Sequence, residues 1–264
     1  MINREAAVDR RRNVEASFAA CAPAGWDLVR VPAREAADVA GEAGGLKPAE
    51  RACYLSHLDA LAAAGGEDAL IVEDDTRFSP RTFETAAGML AAAADCDVLF
   101  TELMPTDIRL LADLARQWPK LARERNFLLP GLAKSGFIGA SAYLVRGQAN
   151  AKLREALAAA ELADTPYDLA LGRLAREGRI QARFAFPFLT APSADADRSQ
   201  IQSEQVDLRQ ATLHAFRRLM FVDRDLAASG QEMQRLGAAH GDAGASLMGA
   251  VFAALISEAF PDEY

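Results

Sequence analysis

The sequence predicts an α/β fold, in which helices pack on the faces of a β-sheet, followed by a helical C-terminal extension. Short apolar segments that suit buried strands alternate with helical segments of about 10 to 15 residues through the first part of the chain. After Pro192 this alternation stops, and the chain beyond Gln200 has only helical patterns. We therefore expect one folded domain at residues 1–202 and a helical extension at residues 203–264.

The first part of the chain contains four predicted elements: a helix at residues 10–20, a strand at 27–31, a helix at 48–64 and a strand at 69–72. The helix at 48–64 has Pro48 in its first turn and a glycine pair after its end, and its leucines form an apolar stripe at helical spacing. The strand at 69–72 is a short apolar run with two β-branched residues, which indicates a buried strand.

The next predicted helix, at residues 79–94, has Ser79 as its N-cap and Pro80 in its first turn. Thr106 is expected to cap the following helix, at residues 106–125. The remaining predicted elements are strands at residues 97–101, 140–145 and 180–186 and helices at residues 148–162, 166–177, 204–229 and 243–260.

The composition excludes several classes of protein. The chain has 264 residues, a formal net charge of −8 and a hydrophobic content of 51%. This hydrophobicity excludes extended disorder, and the acidic balance argues against nucleic-acid binding, which usually needs a basic face. Three scattered cysteines are too few for a disulfide framework and indicate a reducing compartment, so we expect a cytoplasmic protein. The N-terminal segment lacks the apolar core of a signal peptide.

The longest apolar segment lies near the C-terminus, at residues 244–260. It is shorter than the roughly 20 residues that a membrane-spanning helix needs, and it contains Glu258. We expect a buried helix, or one that packs between the subunits of a homo-oligomer. Contact with a membrane is expected to be peripheral at most, at the inner face of the cytoplasmic membrane.

Three consecutive carboxylates, Glu73, Asp74 and Asp75, directly follow the strand predicted at residues 69–72. Ligands of open α/β sheets bind beyond the carboxyl ends of the strands. Strand alternation places Glu73 and Asp75 on one side, where they could hold a hard divalent cation such as Mg²⁺ or Mn²⁺. Such a cation would neutralise charge on a departing diphosphate. The alternative is a solvated acidic turn.

A second polar pair, Ser56 and His57, lies beside the apolar stripe of the helix predicted at residues 48–64. A single histidine on a helix is more often a surface residue or a satisfied core residue than a functional one. The pair is also not a nucleophile with its base, because neighbours along a helix do not face each other.

Together, the two segments resemble glycosyltransferase family 25, which includes lipooligosaccharide, lipopolysaccharide and collagen galactosyltransferases. The resemblance consists of E-x-x-C-x-x-S-H at residues 50–57, followed after a short interval by an apolar strand that ends in E-D-D at residues 73–75. The start is also similar, with I-N at residues 2–3 and D-R at residues 9–10. Weaker matches are Ala142 to Val145, Ala151, Leu153, Tyr167, Asp168, Pro187, Ser199 and Ile201.

This resemblance implies a GT-A-like fold, with a mixed, mostly parallel sheet flanked by helices. It implies an inverting transfer of a hexose, most often galactose, from a UDP-sugar donor to a hydroxyl of a glycan acceptor. The pathway would be lipooligosaccharide, lipopolysaccharide or other cell-surface glycan synthesis. The implied cofactor is a divalent metal, Mn²⁺ or Mg²⁺.

The resemblance also implies roles for individual residues. Asp75 is the expected main metal ligand, and Glu73 is its helper. An inverting transfer needs a carboxylate base for the acceptor hydroxyl, and Asp168 is the candidate. The alternative for Asp168 is a carboxylate held at a helix N-terminus by the helix dipole. The residues expected to bind the donor are Asn3, Arg10, Ser56, His57 and Asp74.

Two other functions stay open. The first is a degenerate, non-catalytic member of the family that binds nucleotide-sugars or assembles subunits. The short first strand and the long helical tail favour this alternative. The second is another phosphate-handling enzyme, such as a nucleotidyltransferase. It is less favoured because the sequence contains neither a P-loop nor a G-x-G-x-x-G turn.

Overall fold

The computed structural model describes residues 1–41, 44–197 and 208–224, which form a mixed α/β fold. This confirms the predicted α/β class. The described strands are β1 (Ile2–Asn3), β2 (Val31–Pro32), β3 (Ala69–Val72), β4 (Thr76–Phe78), β5 (Val98–Phe100), β6 (Met104–Pro105), β7 (Phe137–Ile138), β8 (Ala142–Val145), β9 (Ala182–Phe184) and β10 (Thr190–Pro192). The described α-helices are α1 (Val8–Cys21), α2 (Ala36–Val39), α3 (Pro48–Ala64), α4 (Thr82–Ala92), α5 (Ile108–Glu124), α6 (Gly147–Leu157), α7 (Tyr167–Arg176) and α8 (Leu208–Leu219).

The central sheet has the strand order β3-β8-β5-β9. Strand β8 is antiparallel to both of its neighbours, and β5 is parallel to β9. A parallel bridge between Ile2 and Glu73 brings the parallel pair β1-β2 to the carboxyl end of β3. In the resulting row, β2-β1-β3-β8-β5-β9, five strands run in one direction and β8 runs in the other.

Helices cover both faces of this sheet, so all four residues of β8 are buried. Tyr143 and Val145 contribute to the larger core, which also contains apolar residues of α3, α5, α6 and α7. Leu144 points to the opposite face and packs with Leu90 of α4. This alternation is the ordinary consequence of the strand pleat. A strand buried on both faces is a continuous apolar run whichever way it is oriented, so the sequence does not reveal that β8 is antiparallel.

The predicted starts of α4 and α5, which rested on capping residues, are wrong. Helix α4 begins at Thr82 rather than at residue 79, and Ser79 accepts a hydrogen bond from the Arg81 amide ahead of the helix. Helix α5 begins at Ile108, and the Asp107 carboxylate, rather than Thr106, caps it through the Arg109 amide at 2.8 Å. Thr106 and Asp107 are both capping residue types, so composition does not select between them at α5. At α4 the N-cap is Arg81, which makes no side-chain cap, so the start has no capping signal in the sequence.

The strand predicted at residues 27–31 also differs from the observed strand, which is shorter and begins further along the chain. Strand β2 occupies Val31–Pro32 because its partner β1 has only two residues. Two backbone hydrogen bonds join β1 and β2. The Val31 amide donates to the Met1 carbonyl, and the Ala33 amide donates to the Asn3 carbonyl. Helix α3 and strand β3, in contrast, have the predicted bounds.

Helix α8 belongs to the segment that the sequence assigned to the helical extension, yet it packs on the α/β core. Phe216 and Met220 are buried in the larger core. The chain after α8 forms a bridge beside β10, in which the Phe188 amide donates to Met220 and the Val222 amide donates to Phe188. The division at residue 202 stays a prediction. Ser199, Ile201 and the helix predicted at residues 243–260 lie outside the described residues.

Among the helices that the structure describes, none is both long and apolar enough to cross a membrane.

Candidate functional site

A cleft of about 590 Å³ opens where the carboxyl ends of β1 and β3 meet. Parallel strands end at the same edge of a sheet, so residues that are distant in sequence meet there. The structure brings all eight sequence-predicted site residues to this cleft: Asn3, Arg10, Ser56, His57, Glu73, Asp74, Asp75 and Asp168.

Glu73, Asp74 and Asp75 form a tight turn between β3 and β4, which we call the acidic turn. The Glu73 amide donates to the Ser141 carbonyl at 2.8 Å, and the Thr76 amide donates to the Glu73 carbonyl at 3.3 Å. The chain leaves the strand after Glu73, so the alternation of the strand does not extend to Asp75. That Glu73 and Asp75 lie on one side stays a prediction. The solvated-turn alternative does not hold, since Asp74 is only 6% exposed.

Asp74 is held by two residues of the N-terminal segment. Its carboxylate accepts hydrogen bonds from Asn3 Nδ2 at 2.8 Å and from Arg10 Nη1 at 2.7 Å. The Asn3 Oδ1 atom accepts from Arg30 Nε at 3.0 Å. Asn3, Arg10 and Asp74 thus form one hydrogen-bonded group that anchors β1 and α1 to the acidic turn.

Within the acidic turn, Asp75 has less favourable surroundings than Glu73. Burial and the nearby Glu73 charge raise its pKa from 3.8 to about 7, although Arg10 and Arg217 act in the opposite direction. The Arg10 Nη1 atom lies 3.6 Å from Asp75 Oδ2, beyond hydrogen-bond distance. The protein's own cations therefore relieve only part of the repulsion within the acidic turn.

Glu73 pairs with His57, whose side chain is only 2% exposed. The Glu73 Oε1 atom lies 3.3 Å from His57 Nε2. Burial raises the pKa of Glu73, but the His57 hydrogen bond and the charges of His57 and Arg217 outweigh it, so the pKa lies below its usual value. Glu73 thus carries its negative charge at neutral pH.

Two tyrosines hold the His57 ring in place. Its Nδ1 atom lies 3.0 Å from the Tyr143 hydroxyl, which lies 2.7 Å from the Tyr167 hydroxyl. The His57 ring stacks on the Tyr167 ring with centroids 4.1 Å apart. Burial raises the pKa of both tyrosines, so both hydroxyls keep their protons.

Ser56 and Asp168 both bond to the backbone. The Ser56 hydroxyl donates to the Ala52 carbonyl at 2.7 Å and accepts from the Arg34 amide at 2.8 Å. The Asp168 carboxylate accepts from the Gly139 amide at 2.7 Å and from the Leu169 amide at 2.8 Å. These contacts give both residues a structural role, and the base role of Asp168 stays a prediction.

The sequence analysis missed Arg217 and Glu102, which form a buried ion pair against the cleft. Arg217 Nη2 lies 2.7 Å from Glu102 Oε1, and Arg217 Nε lies 3.1 Å from Glu102 Oε2. Ser141 donates to Glu102 at 2.9 Å. Burial lowers the pKa of Arg217, but the carboxylates of Glu102 and of the acidic turn more than offset this, so Arg217 keeps its charge.

One of these two residues carried a signal in the sequence. Glu102 directly follows the strand predicted at residues 97–101, which is the same pattern that singled out Glu73. Arg217 carried none, because α8 was assigned to the helical extension.

Two sets of side chains in the cleft have metal-binding chemistry. Glu73 and Asp75 offer carboxylate oxygens, the ligands that Mn²⁺ and Mg²⁺ prefer. Burial and, after it, the charge of Glu73 raise the pKa of Asp75, and a bound cation would favour the ionised form. These two residues therefore fit a hard divalent cation. Cys53, His57 and Glu73 form the second set, with one ligand atom from each lying within 4.8 Å of the others. Among the described residues, it is the one such group of three.

Comparison with known proteins identifies no family, since the chain matches no model of a known protein family and no curated protein.

Proposed function

We propose that this protein is a metal-dependent glycosyltransferase with a GT-A-like fold. It moves a hexose, galactose by the sequence resemblance, from a UDP-sugar to a hydroxyl of a glycan acceptor, with inversion. The acceptor belongs to lipooligosaccharide, lipopolysaccharide or another cell-surface glycan. The observation that carries the proposal is the meeting of all eight family-matched residues around one cleft.

The charges around the acidic turn suit a nucleotide diphosphate. Glu73 and Asp75 would hold Mn²⁺ or Mg²⁺, which supplies positive charge next to the departing diphosphate. Arg10 and Arg217 line the same cleft, and Arg10 Nη1 lies 2.7 Å from Asp74 Oδ1 of the acidic turn. Because their N–H groups already donate to Asp74 and to Glu102, these two arginines would act on the diphosphate through their charge rather than through a bidentate contact.

The size of the cleft also suits such a donor. Small-molecule sites usually enclose about 300–1,000 Å³, and this cleft of about 590 Å³ lies well within that range. Its wall includes Ile2, Met104 and Ile138, which offer apolar surface beside the charged groups.

Asp168 keeps the capacity to act as the base. A carboxylate has about four acceptor positions, and two of these are used by the Gly139 and Leu169 amides. The remaining positions can accept the proton of an acceptor hydroxyl, and the two amides hold the carboxylate in place.

The test is Mn²⁺-dependent binding and turnover of UDP-galactose. Wild-type protein should bind UDP-galactose in the presence of Mn²⁺ and lose this binding when EDTA is added. Asp75→Ala should lose the metal-dependent binding and keep its fold. Asp113→Ala, which removes an exposed carboxylate on α5, is the matched control and should behave as the wild type. Absence of metal-dependent binding to any nucleotide-sugar would overturn the proposal.

A second candidate is a module that binds nucleotide-sugars without turning them over. The backbone hydrogen bonds of Ser56 and Asp168 favour it, since both residues already have structural roles. Metal-dependent UDP-galactose binding without hydrolysis or transfer, across a panel of glycan acceptors, would support this candidate over the enzyme.

A further inference from the structure

Cys53 and His57 lie on the same face of α3 because they are four residues apart. Glu73 reaches this face from the end of β3. The Cys53 thiol, a ring nitrogen of His57 and a carboxylate oxygen of Glu73 all lie within 4.8 Å of one another. Two of the three groups, the thiol and the imidazole, come from α3 and not from the acidic turn, so the hydrogen bonds of the turn do not account for their meeting with Glu73.

We propose that Cys53, His57 and Glu73 form a Zn²⁺ site, which differs from the hard-cation pair of Glu73 and Asp75 but shares Glu73 with it. Thiolate, imidazole and carboxylate are the ligand types that zinc takes, and three protein ligands leave a fourth position open. Cys53, His57 and Glu73 all line the cleft, from which a fourth ligand could reach the ion.

The distances are close to those of a tetrahedral zinc site. Zinc lies about 2.0–2.3 Å from nitrogen, oxygen and sulfur ligands, which places the ligand atoms roughly 3.4–3.6 Å apart. The separation of His57 Nε2 and Glu73 Oε1, 3.3 Å, already matches. The Cys53 thiol has to approach by about 1 Å at most, a change that side-chain rotation can supply.

An outer shell for the site is also in place. The residue that orients a zinc-binding histidine usually contacts the ring nitrogen opposite the metal. Here the Tyr143 hydroxyl contacts His57 Nδ1, and Tyr167 supports both groups by stacking and by a hydrogen bond. These contacts fix the ring so that Nε2 faces Glu73.

Glu73 belongs to both metal sites, so the two sites are antagonistic. Zinc at Cys53 and His57 withdraws Glu73 from Asp75, and this lowers the affinity of the acidic turn for Mn²⁺. Thiolate and imidazole select zinc over manganese, whereas Asp75 offers only oxygen. Zn²⁺ should therefore displace Mn²⁺ from the full-length protein.

The test uses Co²⁺ as a spectroscopic probe on the full-length chain. Wild-type protein with one equivalent of Co²⁺ should show a thiolate-to-cobalt charge-transfer band that Zn²⁺ abolishes. Cys53→Ser and Cys53→Ala should lose the band, with Zn²⁺ affinity reduced at least about tenfold. Cys21→Ser removes a thiol far from the site and is the matched control, so it should keep the band.

Asp75→Asn separates this inference from the proposed function. It should keep the cobalt band and lose Mn²⁺ binding, because Asp75 belongs to the other pair. Absence of the charge-transfer band in the wild type would overturn the zinc site without reference to any variant. Persistence of the band in a folded Cys53→Ser protein would also overturn it.

Discussion

Replacing Asp75 with asparagine should stabilise the metal-free protein above neutral pH. The folded state raises the pKa of Asp75 from 3.8 to about 7, so it binds this proton more tightly than the unfolded chain does. Ionising Asp75 therefore costs stability as the pH rises from 3.8 to about 7. A shift of about 3 pKa units corresponds to about 4 kcal/mol, and sharing of the repulsion with Glu73 makes about 2–4 kcal/mol the expected range.

Asparagine keeps the size of the side chain and removes the charge. The free energy of unfolding of Asp75→Asn should exceed that of the wild type by this amount at about pH 8. The difference should be close to zero near pH 4, grow up to about pH 7 and stay constant above it. Urea unfolding in the presence of EDTA, repeated across this pH range, measures the difference between the two proteins.

Asp74→Asn is the matched control. The Asp74 carboxylate accepts hydrogen bonds from Asn3 and Arg10, whereas Arg10 lies beyond hydrogen-bond distance of Asp75. It loses charge-assisted hydrogen bonds with Asn3 and Arg10 and should destabilise the protein by about 1.5–3 kcal/mol. A loss of stability in Asp75→Asn, or a gain that does not change with pH, would refute the reasoning.

Three further predictions concern the walls of the cleft. Arg217→Met leaves the Glu102 carboxylate buried and without its ion-pair partner, so the free energy of unfolding measured in urea should fall by about 3–5 kcal/mol. A decrease below about 1 kcal/mol would contradict the buried pair. Tyr143→Phe removes the hydroxyl beside His57 and should cost about 1 kcal/mol, and an unchanged free energy of unfolding would show that this hydroxyl contributes nothing. A chain that ends at residue 202 lacks α8, which packs in the core, so its thermal unfolding midpoint should fall well below that of the full chain. An equal midpoint would show that residues 1–202 fold stably without α8.

The parts of the fold that the sequence predicts are those with strong local signals. Helix α3 is bounded by Pro48 and by the glycine after Ala64, and β3 is a short β-branched run, so both have the predicted limits. The cleft could be predicted for a more general reason, because the carboxyl ends of neighbouring parallel strands share one edge. Local patterns thus predicted that the acidic turn lies at this edge of the sheet.

The directions of the side chains could not be predicted, because they depend on tertiary contacts. Asp74 turns toward Arg10 and Asn3 because the chain bends after Glu73, and strand alternation contains no information about that bend. Arg217 enters the cleft from α8, a helix whose place depends on packing against β10 rather than on its own sequence.

We propose that the acidic turn and the two cleft arginines bind a nucleotide diphosphate together with a divalent cation. A crystal structure of the full chain with UDP and Mn²⁺, with manganese located by its anomalous scattering, would test this binding. We expect manganese at Glu73 and Asp75, with the diphosphate next to Arg10 and Arg217. Saturating UDP and Mn²⁺ that leave the cleft without nucleotide, or manganese bound away from the acidic turn, would contradict it.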